Sequence, residues 1–391
     1  MTVQQSLGKA TSGHLMPRNI EAAARHNAGI DALRGSITLL VVFHHTAITY
    51  GAIGGWFYRE VATDSSLSSS LLVFFCTVNQ AFFMGLFFLL AGYYTPAALR
   101  SKGPARFMLD RLVRLGLPTL FFGWVLGPMT IALAQTHQGR PFLGSLLRLW
   151  ERGTFEIGPL WFAEALLIFA AGAALVSLLP AHRWLEPSSE ADARPLPSDR
   201  VLAAAAIATG AASAALRSEW PVGVNVWNLQ LGYFSSYDLL FVVGCLAARP
   251  HWLERLPAER VRRWRRIAGV TLPVLPAVYF LGRIIPELQG RTLDLVYAFW
   301  EPLVAWGLIM SLLAGFQRRF DRLEGTWRAL ARRAYTFYII YPPVLVAVAL
   351  AWADVPANSL VKFTVTGTVT CILCFVIAGW LVRVPVLRRV L

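Results

Sequence analysis

Charge is scarce in this chain. Asp, Glu, Lys and Arg make up 15% of the 391 residues while 56% are hydrophobic, and mean hydropathy is +0.53. Soluble globular chains carry about 25% charged residues, so most of this surface must face something other than water. Cysteine is scarce too. The four residues Cys76, Cys245, Cys371 and Cys374 all lie in apolar stretches. Cys371 and Cys374 form a CxxC without a second pair, which argues against a metal or redox centre and reads as soft packing. A short apolar stretch followed by a small-residue cleavage site is missing from the polar first thirty residues, so 1–29 are expected to be a disordered cytoplasmic tail. There is no GxSxG nucleophile motif of a hydrolase, no low-complexity tract and no internal repeat. The net charge of +14 does not point to nucleic acid, because the basic residues form no single patch. They recur in short clusters between apolar stretches, the membrane pattern.

Ten stretches approach the roughly 20 apolar residues that a membrane helix needs: 33–51, 71–95, 113–135, 158–180, 201–216, 228–248, 267–286, 292–315, 334–352 and 359–382. The expected fold is all-α, a polytopic transmembrane helical bundle with N- and C-termini cytoplasmic and one membrane domain over 30–391. The longest loop, 181–200, is rich in Pro, Ser and charge and reads as a flexible surface loop. With the N-terminus inside, 28 of the 36 Lys and Arg fall on the cytoplasmic side, as the positive-inside rule requires. A missed or extra helix would swap every later loop and destroy that bias. The loops Arg249–Arg266, with seven Arg, and Arg318–Arg333, with six, suit anionic membrane lipids or an anionic nucleotide.

Ionisable groups inside spans are costly and default to function. Arg34 stands near the inner end of the first span, with His44 and His45 deeper. Asn79, Gln80, Glu164, Asp238, Asp294, Glu301, Tyr335, Tyr338 and Tyr341 lie in later spans. At about 1.5 Å of rise per residue, His45, Asn79, Glu164, Asp238, Glu301 and Tyr341 all fall roughly 9–17 Å from the outer boundary, a common depth that suggests a polar cavity. Each residue also has a plainer reading. Asp238 and Asp294 could only bond between helices, and Glu301, before Pro302, could satisfy backbone groups that the proline frees. His44 and His45 differ by about 100° around a helix, so only one of them should be central.

The segment IDALRGSITLLVVFHH (30–45) resembles the first helix of the acyltransferase-3 family of membrane acyltransferases, whose signature is an Arg, ten residues, then a His. Arg34 and His45 match that spacing and His44 does not. In order along the chain, FFLLAGYYTP (87–96), the RxxR loop RFMLDRLVRLGLP (106–118), GPLWFAEALLIF (158–169), FVVGCLAARPHWLERLP (241–257), AYTFYIIYPPVLV (334–346) and the closing RVPVLRRVL resemble later family segments. The later ones look closest to a branch of glucan-succinylating and O-acetylating proteins. Many relatives have His where this chain has Tyr341.

The resemblance implies an O-acyltransferase of a bacterial inner membrane. It would move an acetyl or succinyl group from cytoplasmic acyl-CoA to a hydroxyl of a carbohydrate such as a glucan. His45 would be the general base, since an imidazole pKa of about 6.5 suits proton transfer near neutrality; an acyl-His intermediate stays open. Glu164 would orient the imidazole. Arg34, about 16 Å nearer the cytoplasm along the helix, would contact the acyl-CoA arm, and Arg111 and Arg114 would hold its phosphates. Trp161 would line the acceptor path or anchor at the interface, with Asp238, Glu301 and Tyr341 near the substrate. No metal and no nucleic acid are expected; a homo-oligomer or a glycan-assembly partner is open. The competing reading is a proton-coupled secondary transporter, which fits the intramembrane carboxylates but gives the Arg-to-His spacing no role. A third is a non-catalytic subunit of a polysaccharide assembly complex.

Overall fold

The computed structural model describes residues 27–179, 195–320 and 322–385. Most of the expected tail 1–29, the greater part of the loop 181–200 and the closing arginines lie outside these residues. The described residues are helical and contain no strand. Helix α1 (Ala28–Thr49) starts where the Asn27 side chain accepts from the Ile30 amide at 3.1 Å, and Asp31 occupies the first turn, where the helix dipole favours an anion.

Helix α2 (Leu67–Arg111) belongs to a 72-residue helical stretch, Leu67–Gln138. Straight, that stretch would be about 108 Å long, more than three bilayer cores. It folds back at Gly103, whose φ of 73° is open to glycine and whose successor Pro104 has no amide to donate. Lys102 Nζ reaches Asp110 Oδ2 across the break at 2.9 Å. The far arm returns to the starting side, where His137 meets Tyr58 of the loop after α1, ring centroids 5.3 Å apart. That arm runs through a π-turn at Leu112–Gly116, α3 (Leu117–Phe121), a second π-turn at Phe122–Leu126 and α4 (Gly127–Gln135). Pro118 and Pro128, each lacking a backbone donor, account for the widened turns before them.

Then come the short α5 (Phe142–Glu151), α6 (Trp161–Val176), α7 (Asp199–Glu219), α8 (Phe234–Ala248), α9 (Ala258–Thr271), α10 (Val274–Leu281), α11 (Arg291–Arg319), α12 (Gly325–Leu350) and α13 (Ser359–Leu381). Seven helices among the described residues are long and apolar enough to cross a membrane, counting Leu67–Gln138 as one, and they hold eight of the ten expected segments. The first expected span, α1, stands outside this set because Arg34, His44 and His45 lower its mean hydropathy. The seventh, 267–286, is not a continuous helix. It is split into α9 and α10, of 14 and 8 residues, because Pro273 cannot donate the next helical hydrogen bond. Leu117, Phe121, Ile168, Ile207, Val242, Ile372 and Trp380 point outward, an apolar exterior suited to lipid. The protein is an all-α polytopic helical protein.

Glycines set the closest helix contact. A Cβ on Gly92 of α2 would strike the Phe241 carbonyl of α8, and one on Gly244 would strike the Leu89 carbonyl in return. The inner faces of α2 and α8 therefore touch backbone to backbone. At one end of the bundle, Gly29 and Gly35 of α1 seat against Gln317 and Leu330, so the start of α1, the end of α11 and the start of α12 share the arginine-rich end. Gly92→Ala and Gly244→Ala should each lower stability by about 1–3 kcal/mol, because a backbone carbonyl cannot swing aside. Gly172→Ala, with nothing within 4 Å of the added carbon, should not. Thermal unfolding in one detergent checks this, and equal melting of all three variants would contradict it.

Candidate active site

A cavity of about 1230 Å³ opens at the end of the bundle opposite the arginine-rich one. Its wall takes His44 and His45 from α1, Gln80, Phe83 and Met84 from α2, Trp161 from α6, Tyr233 and Tyr237 from the start of α8, Asp294 and Tyr297 from α11 and Tyr338 from α12. The loop between α1 and α2 adds Trp56, Phe57 and Arg59.

His45 is held tightly. Its Nδ1 lies 2.9 Å from the Val41 carbonyl and 3.1 Å from the Tyr341 hydroxyl. A carbonyl only accepts, so Nδ1 carries the proton and Nε2 keeps a free lone pair, an assignment made from the hydrogen-bond network. The imidazole stands 4.3 Å from the Trp56 ring and 5.6 Å from the Tyr341 ring, measured between centroids. Those two aromatic rings are nearly parallel, at 3°. His44 stacks on Phe83 at 4.9 Å with its Nδ1 buried and unpaired. Both histidines reach the cavity although they leave the helix in different directions, because the cavity extends from α1 around to α2.

Trp161 is part of the wall and stacks on Tyr237 at 5.8 Å and 25°. Gln80 Nε2 donates to the Tyr237 hydroxyl at 2.9 Å. Tyr341 lies behind His45, buried, rather than on the cavity surface. Glu301 is also buried and does not line the cavity. It pairs with Arg217 of α7, whose guanidinium lies over Tyr297 and Tyr233 at 4.7 and 5.0 Å and donates to the Gly232 carbonyl at 3.0 Å. Glu301 Oε1 and Arg217 Nη1 keep no hydrogen-bond partner. Asp238 is exposed on the outer face of α8, one residue and about 100° from the inward Tyr237. Glu164 has a buried, unpaired Oε2 and makes no hydrogen bond to His45, whose Nδ1 is met by Val41 and Tyr341 instead.

The three predicted arginines are far from this cavity. Arg34 pairs with Asp31 at 3.7 Å and lies within electrostatic range of Tyr94. Arg111 stands over Phe107 at 5.0 Å, and Arg114, mostly exposed, pairs with Asp110 at 3.2 Å. Among the described residues no three His, Cys, Asp or Glu side chains gather as a metal site.

Sequence reasoning missed two parts of the site. Trp56 lies in a polar loop with no motif around it. Arg217 looks like an outer-loop cation until its partner, 84 residues away, is known. A second buried pair, Lys362 with Glu60, fastens the Trp56 loop to α13. Beside it, burial and the neighbouring Glu60 push the Tyr58 hydroxyl up, so that phenol stays neutral.

These observations describe a helical membrane protein with a histidine in an aromatic cavity on one side and arginines on the other. The family model Acyl_transf_3, an acyltransferase domain, matches residues 27–379. The chain belongs to the acyltransferase-3 family and is a multi-pass membrane acyltransferase. No curated protein and no solved structure matches it significantly.

Arg217→Met should destabilise the protein by about 3–5 kcal/mol by leaving the Glu301 carboxylate buried and alone. The double variant Arg217→Met/Glu301→Leu should regain most of that loss. Thermal unfolding of the two variants checks it, and a double variant no more stable than the single would refute a mainly structural role for the pair.

Proposed function

We propose that the protein transfers an acetyl or succinyl group from acyl-CoA to a hydroxyl of a carbohydrate at a bacterial inner membrane, with His45 Nε2 as the general base. The observation that carries this reading is that Val41 and Tyr341 occupy Nδ1, which leaves Nε2 as the basic nitrogen of a ring lining a large cavity. Nε2 takes the acceptor's hydroxyl proton as the oxygen attacks the thioester carbonyl carbon. The carbon–sulfur bond then breaks, and the departing thiolate takes the proton from the imidazolium. No metal is called for, because the thioester is already activated.

The aromatic wall suits the acceptor. Trp161, Tyr237, Tyr233 and Tyr297 offer flat apolar faces for a sugar's C–H surface, while Gln80, Asp294 and the tyrosine hydroxyls offer hydrogen bonds. Tyr341 takes over a positioning task at the place where many relatives have His: its hydroxyl steadies Nδ1 without competing as a base. Arg34, Arg111 and Arg114 serve the donor's phosphates and arm from the opposite end, the guanidinium fork matching phosphate oxygens. Asp238, facing outward, has no substrate role in this scheme. Glu301 acts through Arg217 on the Tyr233 and Tyr297 walls.

Purified protein in nanodiscs, given acetyl-CoA or succinyl-CoA with a glucan acceptor and followed by thiol release, tests the scheme. His45→Ala should lower turnover by about 10²–10⁴-fold while calorimetric donor binding stays near the parent's. Arg111→Ala/Arg114→Ala should weaken donor binding. Parental turnover in His45→Ala, or a folded parent that binds neither thioester, would overturn it.

A further inference from the structure

A second cavity, of about 420 Å³, lies between the start of α12 and the end of α13. It is lined by Ala329, Arg332, Arg333, Gly379, Val382 and Arg383. Three arginines line it without a carboxylate among the lining residues, and among the described residues none of the three forms an ion pair with an acidic side chain. Arg333 is built into the wall. Its Nη1 donates to the Phe375 carbonyl at 3.2 Å and its guanidinium stands over the Phe375 ring at 4.4 Å. Gly379 makes room for it: a Cβ there would lie 2.8 Å from Arg333 Cζ and Nη1. The carbonyls at the end of α13 favour one nearby cation. They do not compensate three, and like charges lining one hollow favour an anion there.

We propose that this cavity binds a phosphate group. Forked N–H donors match phosphate oxygens in pairs, and the cavity sits at the arginine-rich end, level with Arg34 through the Gly35–Leu330 contact. Two sources carry that chemistry at such a place, the head group of an anionic phospholipid and a soluble phosphate. The inference rests on these arginines and not on the acyl-transfer scheme, since neither His45 nor the aromatic cavity enters it.

The test uses the full chain as parent, Arg332→Ala/Arg383→Ala and the control Arg318→Ala/Arg319→Ala, which removes two exposed arginines from the same end. Native mass spectrometry after exchange into phosphatidylglycerol–phosphatidylcholine nanodiscs counts retained phosphatidylglycerol, and calorimetry in neutral detergent measures inorganic phosphate. At least one probe should bind at least tenfold more weakly to Arg332→Ala/Arg383→Ala and within twofold of the parent to the control. Loss of phosphatidylglycerol alone assigns a lipid site, and loss of inorganic phosphate alone a soluble one. Both substituted arginines are exposed, so the fold should persist. Gly379→Ala, which displaces only the flexible end of Arg333, is the second variant and should weaken the same probe several-fold. Equal binding by all variants, equal loss in the control, or no binding of either probe by the parent would overturn the proposal.

Discussion

The ion pair of Lys362 with Glu60 holds the candidate active site in shape. Glu60 belongs to the loop after α1, and Lys362 to the first turn of α13, 302 residues later. Lys362 also donates to the Ala353 carbonyl at 2.9 Å and lies 5.5 Å from the Trp352 ring centre, so its charge is met from several sides. Around this pair the loop is pinned to its surroundings. Tyr50 shares a hydrogen bond with Thr366 at 2.8 Å, the Ser69 hydroxyl donates to the Gly51 carbonyl at 2.7 Å, and the amides of Glu60 and Val61 donate to the Thr49 carbonyl. Trp56 rides on that anchored loop and covers His45. A charge removed from water must be matched or it is very costly, and here the match also sets the position of an aromatic ring beside the imidazole.

The bundle divides its chemistry between its ends. One end gives a large aromatic cavity with His45 in its wall; the other gathers arginines, several of them paired with acids such as Asp31, Asp110 and Asp199. Helix α1 joins them, carrying Arg34 near its start and His45 near its finish. The Arg-to-His spacing that marks the family is thus a distance along a single rigid element. The acyl-transfer scheme asks a donor with anionic phosphates and an acceptor with hydroxyl groups to arrive from different sides, and this polarity suits it.

Much of this was legible in the sequence, and the gaps have a common cause. Apolar length located most of the helices. Depth counting placed His45 and Tyr341 at one level, and they do touch. Depth does not tell which way a side chain points, so Asp238 seemed equivalent to its neighbours but faces outward, while Tyr237 beside it faces in. Nor does depth supply partners. Arg217 and Lys362 scored as outer cations, yet both are buried and paired across long sequence separations with Glu301 and Glu60. Trp56 was invisible because a loop has no periodicity from which to read a facing. The seventh segment had the composition of a span but not the continuity, which Pro273 removes.

The two π-turns in the arm after Gly103 have an effect beyond their own residues. Each widened turn accommodates about one residue more than an α-turn, and one residue is worth about 100° of rotation. Everything from Gly127 onward is therefore turned by about 200° relative to an unbroken helix begun at Pro104. A helical wheel drawn through the whole arm would assign its two halves to the wrong neighbours. Deleting one residue from such a turn would let the coil close normally and leave the partner of Tyr58, His137, facing the same way, whereas deleting one from an ordinary α-turn of the arm would swing it by about 100°. Length is thus fixed in the α-helical stretches of this arm, and the two π-turns are where it can change by a residue.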